Sequence, residues 1–349
     1  MTSLNKTALT SLHHKLGAKC TSFANHELPI WFSTMKDEHL AVRNDAGMFD
    51  IAHMGVFLIT GSNSESFLQK LSCNSLIKAR SDTMIYSMFL NESGMILDDV
   101  MLGCLDNSWY LVVNGANKGK IRTWMQDHIM SDVMIRDCNI DQTLIAVQGP
   151  DAVNNLSQVL DSDLTKIKRF GMSLVSWQGS DVLTTRTGYT GEDGFELLVA
   201  NEHIPQLWQA LLDTGITPCG LAARDSLRIE AGLPLYGQEL SETIHPLMTR
   251  YAWVVKWDHD FIGKASLHAL KTNSFQKAVG LELSEKLIAR PNYVIQEGGV
   301  ITSGTLVPQT QTSIALAFVE PDFSELGSQV HVMIRNKVVA ASVVQVPFR

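Results

Sequence analysis

The hydrophobic period of the chain changes once, near residue 272, and that change restricts the folds open to it. Beyond this point the apolar residues fall in short runs: AVGLEL (278–283), GGVITSGTLV (298–307), SIALAFV (313–319), VHVMI (330–334) and VVAASVV (338–344). Polar or glycine-containing turns separate them, and runs of this length with such punctuation read as strands. Arg335-Asn336-Lys337 falls where a hairpin tip belongs. A module of strands alone avoids open edges by closing into a small barrel. Before residue 272 the periods alternate. Residues 54–60 and 109–113 read as strands, ended by Gly61 and Asn114, and 64–71 reads as a helix. Ile121, Trp124, Met125 and His128 recur at i, i+3, i+4 and i+7, which turns one helical face inward. Residues 144–147 form another short strand, closed by Gly149-Pro150, and Asp151 opens a helix carrying Val153, Leu156 and Leu160. Strands and helices mixed in this way give α+β layers rather than a doubly wound sheet. The expectation is an α+β fold over 1–272, followed by an all-β module over 273–349.

A length of 349 residues is enough for two or three domains with substantial cores. Hydrophobic residues make up 45% of the chain and the formal net charge is -8. A dedicated nucleic-acid binder would carry a basic face, so that class is set aside. Lys166, Lys168 and Arg169 form one small basic cluster, which reads as a solvated face. No apolar run reaches the roughly 20 residues needed to span a bilayer. The first twenty residues hold no apolar signal core, and a cytoplasmic location is expected. The five cysteines are scattered, with no CxxC pair, and read as reduced thiols. The eleven histidines show no HExxH or other compact metal spacing, and the adjacent His13 and His14 must face different ways on a helix. No metal is expected.

Three constellations remain. In YSMFLNESGMILDDV (86–100) a polar turn delivers Asp98 and Asp99 into a strand. Strand side chains alternate, so one of these carboxylates faces inward when the other faces water. They are either turn residues or a carboxylate held for chemistry. In GYTGEDGFELLVA (188–200), glycines at 188, 191 and 194 match neither the dinucleotide fingerprint nor a phosphate loop. Phe195, Leu197 and Val199 share one face of the strand that follows, which leaves Glu196 on a mostly apolar opposite face. Such a carboxylate wants two parallel N–H donors, from an arginine or from an aminopyrimidine ring. In GLAARDSLRIEAGLPLYG (220–237), Ala223, Leu227 and Ala231 form a helical stripe stopped by Gly232. Arg224 and Arg228 lie one turn apart with like charge, a strain relieved by Asp225 or Glu230 or by a carboxylate-bearing ligand.

Taken together, these segments resemble the aminomethyltransferase family, the T-protein of the glycine cleavage system. The resemblance runs through LHHKLGAK, EHLAVRNDAGMFDIAHMG (38–55), YSMFLNESGMILDD, VVNGAN, AVQGP, TGYTGEDGFE, GLAARDSLRIEAGLPLYG, DFIGK (260–264) and ITSGT (301–305), in order and over nearly the whole chain. It implies a three-domain cloverleaf around a central folate-binding opening, with two interleaved α+β domains in 1–272 and the β-barrel in 273–349. It also implies tetrahydrofolate as acceptor substrate and the lipoylated H-protein as partner. The implied reaction passes a one-carbon unit from the aminomethyl-dihydrolipoyl arm to tetrahydrofolate, giving 5,10-methylenetetrahydrofolate and ammonia.

Residue by residue, Asp99 takes the place of the family's active-site aspartate, Glu196 of its pterin-binding glutamate and Arg224 of a ligand-binding arginine. Met54, Leu58, Tyr86, Asn114 and Tyr189 fall where the pocket is lined, although Met54 and Leu58 would suit ordinary strand core equally well. Arg290 is a further contributor. The chain departs from the family pattern in three places: Met95 stands where a second glycine is common, HPLMTRYAW (245–253) lacks the usual glutamate and glycine after PL, and Val346-Pro347-Phe348-Arg349 is not followed by the usual tyrosine-bearing tail. Two relatives of altered function remain open on the same fold. One is a folate-dependent demethylase acting on a free small donor. The other is a folate-binding accessory protein for iron–sulfur cluster maintenance, whose KGCYxGQE-type motif here lacks its cysteine.

Overall fold

The computed structural model describes residues 4–80 and 82–348. Arg349, the end of the C-terminal segment discussed above, and the first three residues lie outside this range. Two compact units share the chain. The first comprises residues up to Gln69, Ser75–Tyr86 and Val100–Arg224; the second comprises Lys70–Asn74, Ser87–Asp99 and Asp225–Arg349.

In the first unit a six-stranded sheet has the order Met172–Trp177, Ser180–Thr185, Gly194–Ala200, Gln142–Gln148, Gly47–Asp50, Thr217–Cys219. Its pairings are antiparallel except the last, where Thr217–Cys219 runs parallel to Gly47–Asp50. The mixed, largely antiparallel sheet is the α+β arrangement that the periodicity predicts. One face packs on helices Ala152–Val159 and Ile204–Asp213. Phe195, Leu197 and Val199 are buried there with Leu156, Leu207 and Trp208. Strand alternation therefore sends Glu196 to the opposite face. A second sheet orders Met84–Leu90, Ile96–Leu105, Ser108–Val113, Gly55–Thr60 and Met134–Asp137. Helix Lys118–Asp127 buries Ile121 and Met125, as its periodicity requires.

The second unit holds the strands read from the C-terminal third. Lys277–Leu283, Gly299–Leu306, Ser313–Val319, Gln329–Ile334 and Lys337–Val344 form one antiparallel sheet with Gly299–Leu306 and Gln329–Ile334 at its edges. The segment before Gly299 bridges both edges, pairing Val294 with Val300 and Ile295 with Val332. This brings the sheet round toward the closed form expected of an all-β module. Its interior is filled by Leu281, Ile301, Ala315, Val319, Val330, Val332 and Ala341. The hairpin tip is at Arg335-Asn336, between the paired Ile334 and Lys337, and Arg335 has φ 56°. Among the described residues, no helix is long and apolar enough to cross a membrane.

Candidate active site

Glu196, Tyr189 and Arg224 come together in the first unit, and each is held by a different element. Glu196 sits half-buried on Gly194–Ala200. Its Oε2 accepts a 2.5 Å hydrogen bond from the Thr187 hydroxyl, and Thr187 in turn meets the Thr185 hydroxyl at 2.8 Å.

Tyr189 rides the glycine loop, which is pinned from several sides. The buried Gln148 amide donates to the Thr187 carbonyl at 3.0 Å and accepts from the Thr190 hydroxyl at 3.0 Å. Arg43 donates to the Thr190 carbonyl at 2.9 Å and pairs with Glu192 at 3.0 Å. Arg186 forks onto Asp193 and holds that carboxyl below its ordinary range. Gly188 is needed for close approach. A Cβ there would lie 1.8 Å from Gln148 Oε1. Gln148 cannot withdraw without giving up its loop contacts, so Gly188→Ala is expected to cost about 1–3 kcal/mol. A urea-unfolding midpoint indistinguishable from that of the parent would show that the amide steps aside freely.

Arg224 lies on helix Leu221–Glu230, whose start is anchored by Glu38. The Glu38 carboxylate is fully buried. It accepts from the backbone N–H of Phe32 (2.6 Å) and Ser33 (2.9 Å) with one oxygen and of Gly220 (2.8 Å) with the other. The Arg224 guanidinium carbon lies 4.7 Å from the Tyr189 ring centroid, a cation–π contact. Burial lowers the Arg224 pKa, while the Glu196 charge acts in the opposite direction. Its Nη1 is buried with no hydrogen-bond partner in the structure. A charged donor left in that state is costly unless a ligand meets it.

Arg228, one turn further on, is fully engaged by protein. It reaches Asp225 and Glu239 at 2.9 Å each and the Ser303 hydroxyl at 2.7 Å. The like-charge strain seen in the sequence is thus relieved separately for the two arginines. Arg228 takes carboxylates of its own unit, and Arg224 keeps a donor in reserve.

His53 packs edge-on against Phe23 at 5.1 Å and is almost completely buried. Burial first, and then the charge of Arg224, push its pKa down to about 3, so the ring is neutral. The Gly115 backbone passes so close to the His53 carbonyl that a Cβ there would lie 2.2 Å from it. The turn that follows Asn114 therefore abuts His53. Met54 adjoins His53, and its carbonyl accepts from the Asn139 amide at 3.0 Å. Leu58 and Tyr86 lie half-buried on the second sheet. Arg290 is exposed in the second unit, between Lys277–Leu283 and Gly299–Leu306.

Asp98 and Asp99 alternate as the strand period requires: Asp98 is fully buried and Asp99 is half-buried. Asp99 influences Tyr251, whose phenol is pushed up to about 12 by burial, with the charges of Asp99 and Glu239 adding to the effect against Arg250. The Tyr251 hydroxyl donates to the Gly232 carbonyl at 3.0 Å. The start of the Asp98–Asp99 strand is held by a hydrogen bond from the Ile96 N–H to the Ile244 carbonyl at 3.0 Å.

Residues 9–259 match the GCVT N-terminal domain, and residues 276–349 match the glycine cleavage T-protein C-terminal barrel domain. The chain belongs to the glycine cleavage T-protein family. An aminomethyltransferase of Listeria welshimeri is 41% identical, with 100% of this chain and 99% of the relative aligned. One from Synechococcus elongatus is 40% identical over 99% and 96%. The solved glycine cleavage system aminomethyltransferase T of Bartonella henselae superposes with a TM-score of 0.93 at 30% identity, covering 99% of this chain and 98% of that one.

Within this T-protein family member, sequence reasoning missed three residues of the site region. Glu38 positions the Arg224 helix, Thr187 orients Glu196, and His53 is a neutral neighbour of Arg224. Glu38 and His53 stand inside EHLAVRNDAGMFDIAHMG and Thr187 opens TGYTGEDGFE. The segments were visible, but the partners of these residues were not.

Proposed function

We propose that the chain transfers the one-carbon unit of aminomethyl-dihydrolipoyl H-protein to tetrahydrofolate in the cytoplasm. The observation that supports this most is the Glu196–Arg224–Tyr189 group. It presents a carboxylate acceptor, an aromatic face and a buried guanidinium donor without a partner. An aminopyrimidine ring offers adjacent N–H groups that a carboxylate can accept together. Glu196 takes those N–H groups, Arg224 donates its spare N–H to a ligand acceptor, and Tyr189 packs beside the ring. Asn114, Met54, Leu58 and Tyr86 line the pocket.

At the reacting carbon, the protonated amino group leaves as ammonia as sulfur lends its lone pair. Folate N5 then bonds to the carbon and loses its proton, and N10 displaces the sulfur, its N–H proton going to the departing thiolate to give the dihydrolipoyl thiol. Positive charge builds on the carbon and on N5, and Asp99 is the carboxylate that offsets it.

The test is methylenetetrahydrofolate formation from aminomethylated lipoyl H-protein, with tetrahydrofolate present or omitted. Production that requires folate and releases ammonia is the expected result. Folate binding without production, together with turnover of a free small amine or sulfonium donor, would assign the chain to a demethylase instead. Glu196→Ala is expected to weaken tetrahydrofolate binding by at least about 2 kcal/mol, roughly 30-fold. Equal affinities in a calorimetric titration would remove Glu196 from the pterin contact.

A further inference from the structure

Helix Thr10–Lys15 and the hairpin Lys19–Phe23/His26–Trp31 place His14, Cys20 and Glu27 together. One ligand atom from each lies within 4.8 Å of the others, and among the described residues this is the one such group of three or more. His14 Nε2 and Glu27 Oε1 are 2.8 Å apart. The hairpin register pairs Cys20 with Pro29 and Ser22 with Glu27. Cys20 and Glu27 therefore occupy diagonal positions on the same face of the hairpin. His13, the neighbour of His14, turns the other way and bonds the buried Asp50 carboxylate at 2.9 Å. The Lys19 ammonium is drawn off over the Trp31 ring, 4.8 Å from its centroid.

We propose that His14, Cys20 and Glu27 bind a zinc ion that clips helix Thr10–Lys15 to this hairpin, with water as the fourth ligand. The donor set is one imidazole nitrogen, one sulfur and one carboxylate oxygen, the mixture that suits Zn²⁺ among divalent ions. Tetrahedral zinc at ordinary bond lengths separates its donors by about 3.3–3.8 Å. The His14–Glu27 pair opens slightly and Cys20 closes in, movements available to side chains that are part exposed. On binding, the Cys20 thiol gives its proton to solvent, and thiolate and carboxylate together neutralise the ion. Cys73, Cys104, Cys138 and Cys219 are buried thiols, which makes Cys20 the accessible sulfur.

Cobalt(II) is the probe, added to the untagged full-length protein under reducing conditions. The expected result is one equivalent bound, with tetrahedral d–d absorption and a thiolate-to-cobalt charge-transfer band, both lost on adding zinc. Cys20→Ser removes the charge-transfer band. Zinc calorimetry shows affinity falling roughly 100-fold in His14→Ala and in Glu27→Ala, both part-exposed positions whose replacement leaves the core intact. Zinc raises the unfolding temperature of the parent and not of these variants. Absence of the charge-transfer band in the parent, its persistence in Cys20→Ser, or unchanged zinc affinity in the other two variants would overturn the site.

Discussion

Asp99→Asn is expected to lower turnover by roughly 10²–10⁴-fold and to leave tetrahydrofolate affinity within about twofold of the parent. Asparagine keeps the shape and one carbonyl oxygen of the aspartate, so the half-buried strand position is filled as before. What is lost is the negative charge. On the proposed mechanism that charge contributes little while the folate is merely bound and much when the carbon and N5 become positive. Asp98 cannot replace it, because the strand period turns Asp98 into the interior. Tyr251 does not supply an anion either, since its phenol is held up at about 12 and stays protonated. The assay is steady-state formation of methylenetetrahydrofolate beside a folate titration. Unchanged turnover removes Asp99 from the chemistry. A parallel loss of folate affinity would make it a binding residue.

A second large effect is expected on stability in acid. His53 has its folded pKa depressed to about 3, below the ordinary imidazole value of 6.5. For a base shifted downward, the folded chain holds the neutral ring while the unfolded chain takes up a proton. Stability is therefore intact above pH 6.5 and is lost as pH falls toward 3, by up to about 1.4 kcal/mol per pH unit. His53→Gln removes the titrating group while keeping an amide that can hydrogen-bond. Its stability is lower than the parent's at neutral pH, and its profile through the mildly acidic range is flatter. Asp50, whose carboxyl is depressed from 3.8, begins to shed its contribution only below that value, so of these two groups His53 alone responds between pH 6.5 and 3.8. Urea-unfolding curves collected across the acid range decide the matter. Parallel profiles for parent and variant would mean that the buried ring is not what responds to acid.

Much of the fold was legible because the relevant signals are local. The strands of the C-terminal third fall where the sequence puts them, and Ser64–Leu71 is the helix its period suggests. Other features were not local. The parallel pairing of Thr217–Cys219 with Gly47–Asp50 joins segments far apart in sequence, and nothing in either run names the other. The glycine loop was visible, but not the buried Gln148 that explains why position 188 must be glycine. The roles given to Asp99, Glu196 and Arg224 came from the resemblance. The geometry adds Thr187, Glu38 and His53 as residues whose positions bear on them.

By itself the sequence determined which way side chains point along each element. One of Asp98 and Asp99 had to turn inward and Glu196 had to face opposite to Phe195, because backbone geometry imposes that alternation wherever the strand lies, whereas it took the fold to make Asp98 the buried one. Only the tertiary structure decided what each side chain meets. Arg224 and Arg228 share a helix face one turn apart, yet one stacks on Tyr189 and the other locks onto Glu239. His14, Cys20 and Glu27 follow no metal-binding spacing, yet a short helix and a hairpin bring their donor atoms within reach of one ion. Such meetings depend on how elements pack. Packing is settled by the summed burial of many distant residues, which no single stretch of sequence carries.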